Sequence, residues 1–108
     1  MSINPPSLEE QIWALLQEIY DPEIPVNIVD LGLVYGVAVE DTPNGKSAKI
    51  TMTLTNPACV MGPMLSEMIK SKVNTLPQIS DASVEIVWEP VWSKDMISER
   101  GRMELGLM

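Results

Sequence analysis

Apolar residues recur at helical spacing in two main stretches of the chain and alternate with polar ones in others, which predicts the order helix, strand, strand, helix, strand and a short last helix. Leu8, Ile12, Leu15, Leu16 and Ile19 form the first helical stripe. Ser7, followed three residues later by Glu10, makes a capping-box start, and Asp21-Pro22 makes a stop, so this helix is expected over Leu8 to Tyr20. Leu33 to Glu40 and Lys46 to Leu54 read as paired strands of a β-hairpin. Between them lies Thr42-Pro43-Asn44-Gly45, with Asn44-Gly45 the expected place for positive backbone dihedrals. Met61, Met64, Leu65, Met68 and Ile69 predict a second helix that opens at Gly62-Pro63 and runs through Val73 towards Leu76, before Pro77. Ala82 to Trp88 alternates as a third strand, and Ser98 is the expected N-cap of a last helix ending near Gly106.

These elements predict an α+β fold, a small mixed three-stranded sheet packed by helices in the order αββαβα, as a single domain over residues 1–108. With the hairpin turn near Asn44, residues around Val34 oppose residues around Thr55, and Asp30 comes to the same end of the sheet as Cys59. A strand, helix, strand connection makes the outer two strands parallel, which places Glu89, Pro90 and Trp92 at that end too. Cys59 falls between the second strand and the second helix. A thiol just before a helix start lies near unpaired N–H groups and the positive end of the helix dipole, both of which favour thiolate.

Composition narrows the chemistry. Seven basic against fifteen acidic residues give a formal net charge of −8, which repels phosphate backbones and anionic lipid and leaves no basic stripe for nucleic acid. No window resembles a membrane helix, and Glu9 and Glu10 stand where a signal peptide would be basic and then apolar, so a cytoplasmic location without membrane or nucleic-acid partners is expected. The single cysteine cannot form an intrachain disulfide, and the chain has no histidine. A Cys–His pair, a Ser–His–Asp triad and a histidine-bearing zinc site are therefore impossible within this chain, and it is not expected to be an enzyme.

DPEIPVNIVDLGLVYGVAV, from Asp21 to Val39, together with MTLTNPAC up to Cys59 and the ending VWEPVWSKDMISERGRMELG, resembles the SufT-like and PaaD-like family of small iron–sulfur cluster assembly factors over nearly the whole chain. The resemblance implies the α+β assembly-domain fold and an accessory role in maturing iron–sulfur proteins, with the assembly machinery and client apoproteins as partners. Carried over by position, the central cysteine is Cys59 and the acidic motif residues are Asp21, Glu23 and Asp30. The chain departs from the family pattern at Val60, where proline commonly follows the cysteine, and at Asn56, where threonine is common.

Each candidate also has an ordinary structural reading. Cys59 can be a buried thiol packed as a small hydrophobe, or a thiolate that contacts iron, a cluster edge or a client. Asp21 and Asp30 suit turn stabilisation, whereas Glu23, set between prolines, is the better candidate for metal or partner contact. The row Met61, Met64 and Met68 favours the helix core over a client surface, with Met61 retained as a candidate for partner contact; Trp92, after Pro90, is the better interface candidate of the two late tryptophans. One thiolate cannot complete an iron–sulfur cluster, so no cluster or iron is expected to be held stably by one chain. A transient cluster could be shared with a client, an assembly protein or a second copy in a symmetric homodimer. The alternative is an adaptor that joins client and machinery without touching the cluster.

Overall fold

The computed structural model describes residues 7–21, 24–55 and 62–106. Helix α1 spans Leu8–Leu16, strand β1 Val34–Thr42, strand β2 Gly45–Met52, helix α2 Gly62–Val73, strand β3 Ile79–Ile86 and helix α3 Glu99–Glu104, with a 3-10 turn at Lys94–Met96 before α3. The sheet order is β1-β2-β3, antiparallel between the first two and parallel between the last two. The expected α+β architecture and element order hold. Among the described residues no helix is long and apolar enough to cross a membrane.

Both long helices lie against one face of the sheet. Ile12 and Leu16 of α1 and Leu65, Ile69 and Val73 of α2 are buried together with Ala48, Ile50 and Met52 of β2 and Ala82 of β3. Completely burying a large aliphatic side chain contributes about 1.5–3 kcal/mol, so this stripe-to-sheet contact is the main source of the fold's stability. The other side of β2 and β3 carries Lys49, Ser83 and Glu85, all exposed, with Lys49 Nζ 2.9 Å from Glu85 Oε1.

The caps form where the local sequence places them. Ser7 Oγ accepts from the Glu10 backbone N–H at 3.1 Å, and Ser98 Oγ accepts from the Gly101 N–H at 3.0 Å. The ends of elements move for identifiable reasons. Helix α1 stops at Leu16, not Tyr20, because Glu18 and Ile19 tighten onto the carbonyls of Leu15 and Leu16 and the chain then bends into a Tyr20–Asn27 bridge. Thr42 pairs with Gly45, so the hairpin turns on Pro43-Asn44; of the expected pair only Gly45 has positive φ, at 131°. That turn and an irregularity between Val34 and Gly36 set Val34 opposite Met52, three residues short of the Thr55 region. Strand β3 begins pairing with Lys46 at Ile79, and its last link is the Val87 N–H on the Met52 carbonyl at 2.8 Å. It therefore ends before Trp88, which is 42% exposed and does not continue the inward alternation.

Helix α2 differs most from expectation. Leu65, Ile69 and Val73 form its buried stripe, while Met64 and Met68 are exposed at 44% and 41%, so these two methionines are not core residues.

After β3 the chain returns over the end of the sheet where β1 begins and β2 finishes. Tyr35 Oη donates to the Pro90 carbonyl at 2.7 Å, and Trp92 Nε1 donates to the Leu31 carbonyl at 2.8 Å. Gly32, at φ 85°, makes the closest approach: a Cβ there would lie 2.4 Å from the Met96 carbonyl oxygen. Gly32→Ala should therefore destabilise the protein by about 2–4 kcal/mol, from the left-handed backbone and the clash together. Gly36→Ala, which meets nothing within 4 Å, should stay within about 0.5 kcal/mol of the parent. Urea unfolding of the two variants checks this, and equal midpoints would contradict it.

Candidate functional site

The loop from Ile24 to Leu33 leads into β1 and is built from its own polar side chains. Asn27 Oδ1 accepts from the N–H groups of Val29 and Asp30 at 3.0 and 2.9 Å, an Asx arrangement that turns the chain. The other end of the same amide, Nδ2, donates to Asp30 Oδ2 at 2.7 Å. Asp30 Oδ1 accepts from Ser98 Oγ at 2.8 Å, and the Asp30 carbonyl accepts from the Ser98 N–H at 2.7 Å. Asp30 and Asn27 are both buried, at 8% and 3% exposure. One carboxylate thus joins the loop to the cap of α3, and a hydrogen bond to a charged group contributes about 1.5–3 kcal/mol. Arg100 Nε is 3.9 Å from Asp30 Oδ2, but its side chain is 72% exposed and adds little in solvent.

Asp30 is thus fully engaged in structure, in line with the turn reading. Asp21 is buried at 9%, and its Oδ1 accepts from the Ile24 N–H at 3.1 Å. Trp92 is half-buried against the core with its indole N–H committed to Leu31, which places it next to Asp30 in the chain path. Val91, at 75% exposure, and Trp88 are the more exposed apolar side chains of this segment. Glu23, Cys59 and Met61 lie outside the described residues.

The flanks of the cysteine segment are described. The Thr53 N–H donates to the Leu33 carbonyl at 2.8 Å, so the exit from β2 lies beside the entry to β1, a few residues after Asp30. On the far side of the segment, a Cβ on Gly62 would lie 2.9 Å from Leu54 Cδ1 and 3.7 Å from Ile86 Cδ1. The start of α2 thus packs against the side chains at the ends of β2 and β3, and a larger residue at Gly62 would require Leu54 to shift. The loop before β1, the exit from β2 and the end of β3 therefore share one end of the sheet, as the strand directions predicted. Thr53 escaped the sequence reading. It is 1% exposed, and its Oγ1 has no hydrogen-bond partner among the described residues. A lone threonine at a strand end carries no signal for this.

Among the described residues no group of three or more His, Cys, Asp or Glu side chains is arranged to hold a metal ion. Asp21 and Asp30 are not brought together into a ligand set with other described acids. What this end of the sheet offers is a rigid frame: paired strand ends, a helix start packed on them and a C-terminal segment tied across.

Comparison with known proteins agrees with this frame. A family model described as iron-sulfur cluster assembly protein matches residues 9–86. The "Fe-S protein maturation auxiliary factor SufT" of Staphylococcus aureus is 42% identical over 89 residues, covering 82% of this chain and 98% of that protein. The "Fe-S protein maturation auxiliary factor" of Porphyromonas gingivalis is 40% identical over 100 residues, covering 93% and 92%. Among solved structures, a domain of unknown function from Bacillus anthracis superposes with a TM-score of 0.84 at 36% identity, over 94% of this chain and 93% of that one.

The Asp30 junction can be tested by polarity. Asp30→Asn retains shape, but if its oxygen faces Ser98 its amide faces the Asn27 amide, donor against donor. It should destabilise by about 1–3 kcal/mol. Asn27→Asp combined with Asp30→Asn restores a donor–acceptor pair and should recover most of the loss in thermal or urea unfolding. A double variant no more stable than the single one would show that the pairing is not what holds the junction.

Proposed function

The chain belongs to the iron–sulfur cluster assembly protein family, and from that premise we propose that it is an accessory factor for maturing iron–sulfur proteins, using the thiolate of Cys59 to contact its cargo. The reading is carried by a family match over residues 9–86, and by relatives named as maturation auxiliary factors that align over most of both chains. Cys59 stands three positions before Gly62, the first residue of α2, in the stretch of sequence between the exit from β2 and that helix.

The cluster is cargo in this account. A thiolate is a soft ligand suited to iron in a cluster, but a cluster ordinarily takes four cysteines, and this chain has one. Cys59 then supplies one bond during hand-over, and the remaining ligands come from a client, an assembly protein or a second copy of the chain. Asp30 acts through structure, keeping the loop before β1 and the C-terminal segment fixed at that end. Glu23 remains the acidic candidate for direct contact with cargo or client. The protein acts in the cytoplasm and performs no turnover chemistry of its own.

The exposure of Met64 and Met68 favours a second reading, an adaptor that holds a client against the assembly machinery through this surface. The two readings separate on Cys59→Ser in cells lacking the natural chain. Cluster transfer predicts that clients still co-purify with the variant while their iron and sulfide content falls to the level of cells without the protein. Full loading of clients by Cys59→Ser would remove the cysteine from the mechanism and leave the adaptor.

A further inference from the structure

The hydroxyl of Tyr35 fastens the C-terminal segment to the sheet end, and two atoms of that segment can accept from it. Tyr35 Oη lies 2.7 Å from the Pro90 carbonyl oxygen and 3.6 Å from Met96 Sδ. A phenol has a single hydrogen to give, and a carbonyl oxygen is a far better acceptor than a thioether. The bond therefore goes to Pro90, with the Met96 sulfur beside it as the poorer acceptor.

Met96 is also held closely from the other side. A Cβ on Gly32 would lie 2.4 Å from the Met96 carbonyl oxygen and 2.8 Å from its Cβ, so the segment rests on the loop before β1 with no room to move inward. The next two residues continue the contact, since Ile97 is buried in the core and Ser98 pairs with Asp30. Met96 thus stands between the two ties of the segment, Tyr35 to Pro90 and Asp30 to Ser98.

The described methionines differ in what an added oxygen would do. Met64, Met68 and Met103 are exposed at 44%, 41% and 65%, so an oxygen on their sulfurs is simply hydrated. Met52 is completely buried in the core, out of reach of a dissolved oxidant. Met96 is half-buried, open enough to react and with its sulfur against a hydrogen-bond donor.

We propose that Met96 is a peroxide-sensitive modification site, whose sulfoxide takes the Tyr35 hydroxyl from the Pro90 carbonyl and loosens the C-terminal segment from the end of the sheet. The oxidant is hydrogen peroxide. Its O–O bond breaks as the Met96 sulfur gives up two electrons; one oxygen becomes bonded to sulfur and the other leaves as water. The sulfoxide oxygen is a strong acceptor within reach of Tyr35 Oη, and the exposed Pro90 leaves its carbonyl to solvent. Because Gly32 blocks inward movement, the added atom is accommodated by the segment moving outward. A sulfoxide reductase supplied with a dithiol reverses the step, the oxygen leaving as water and the dithiol becoming a disulfide. Cys59 takes no part, so this inference is independent of cluster transfer.

The test uses the full chain carrying Cys59→Ser, so that the thiol consumes no oxidant, before and after hydrogen peroxide. Peptide mass spectrometry locates the added oxygen. Hydrogen exchange reads the segment through the Trp92 indole N–H, which donates to the Leu31 carbonyl, and the Ser98 N–H, which donates to the Asp30 carbonyl. Oxidation of Met96 should speed both by about tenfold or more and leave the amides of β2, the central strand, unchanged. Reductase with dithiothreitol should restore the original rates. Met96→Leu keeps the volume and the other methionines but has no sulfur to oxidise, so its exchange should not respond to peroxide. Tyr35→Phe lacks the hydroxyl, and should exchange faster before oxidation and gain less than about threefold from it.

Met96 remaining a thioether while Met64, Met68 and Met103 are fully oxidised would overturn the proposal. Equal acceleration in Met96→Leu would do so as well, by assigning the effect to another methionine. Loss of protection in β2 together with the segment would also overturn it, because the oxidised chain would then be unfolding as a whole.

Discussion

The interaction on which the candidate site most depends is the pairing of Asp30 with Ser98. Through its carboxylate and its own carbonyl, Asp30 holds both the side chain and the backbone of the residue that caps α3, while Asn27 holds the other carboxylate oxygen. A buried carboxylate with fewer partners would be costly, so the loop before β1 and the C-terminal segment depend on each other at this junction. Tyr35 on Pro90, Trp92 on Leu31 and the close passage of Met96 over Gly32 extend that junction across one end of the sheet. The same end receives the exit from β2 and the start of α2.

Among the described residues, the acids of the chain's characteristic motif serve structure and form no metal-holding group. Asp21 and Asp30 shape and fasten the loop, and in the function proposed above cargo contact is assigned to the one thiol. A single soft ligand suits passing a cluster on, because a complete ligand set would retain it. The exposed methionines lie on the helical layer, apart from the junction.

Much of the fold was legible because its signals are local. Ser7 and Ser98 cap the helices they precede, and the hairpin and the parallel third strand follow from alternation and from the handedness of a strand–helix–strand connection. Element ends were less legible, since α1 stops for a bridge between Tyr20 and Asn27 and β3 stops where β2 ceases to offer partners. The Asp30–Ser98 pair, 68 residues apart, leaves no trace in spacing. The methionines were misplaced by treating two neighbouring rows as one. Leu65 and Ile69 continue to Val73, whereas Met64 and Met68 continue to Ser71 and Lys72, and that polar continuation was the sign of an exposed row. The family resemblance carried the functional reading because it spans several elements at once, which no single cysteine does.

The most direct test of the central claim is the iron and sulfide content of iron–sulfur client proteins purified anaerobically from cells that lack this chain and from the same cells supplied with it. A maturation factor predicts clients of normal abundance but lowered cluster occupancy in its absence, restored when the chain is returned. Equal occupancy in both, under conditions that demand cluster synthesis, would contradict a role in iron–sulfur protein maturation.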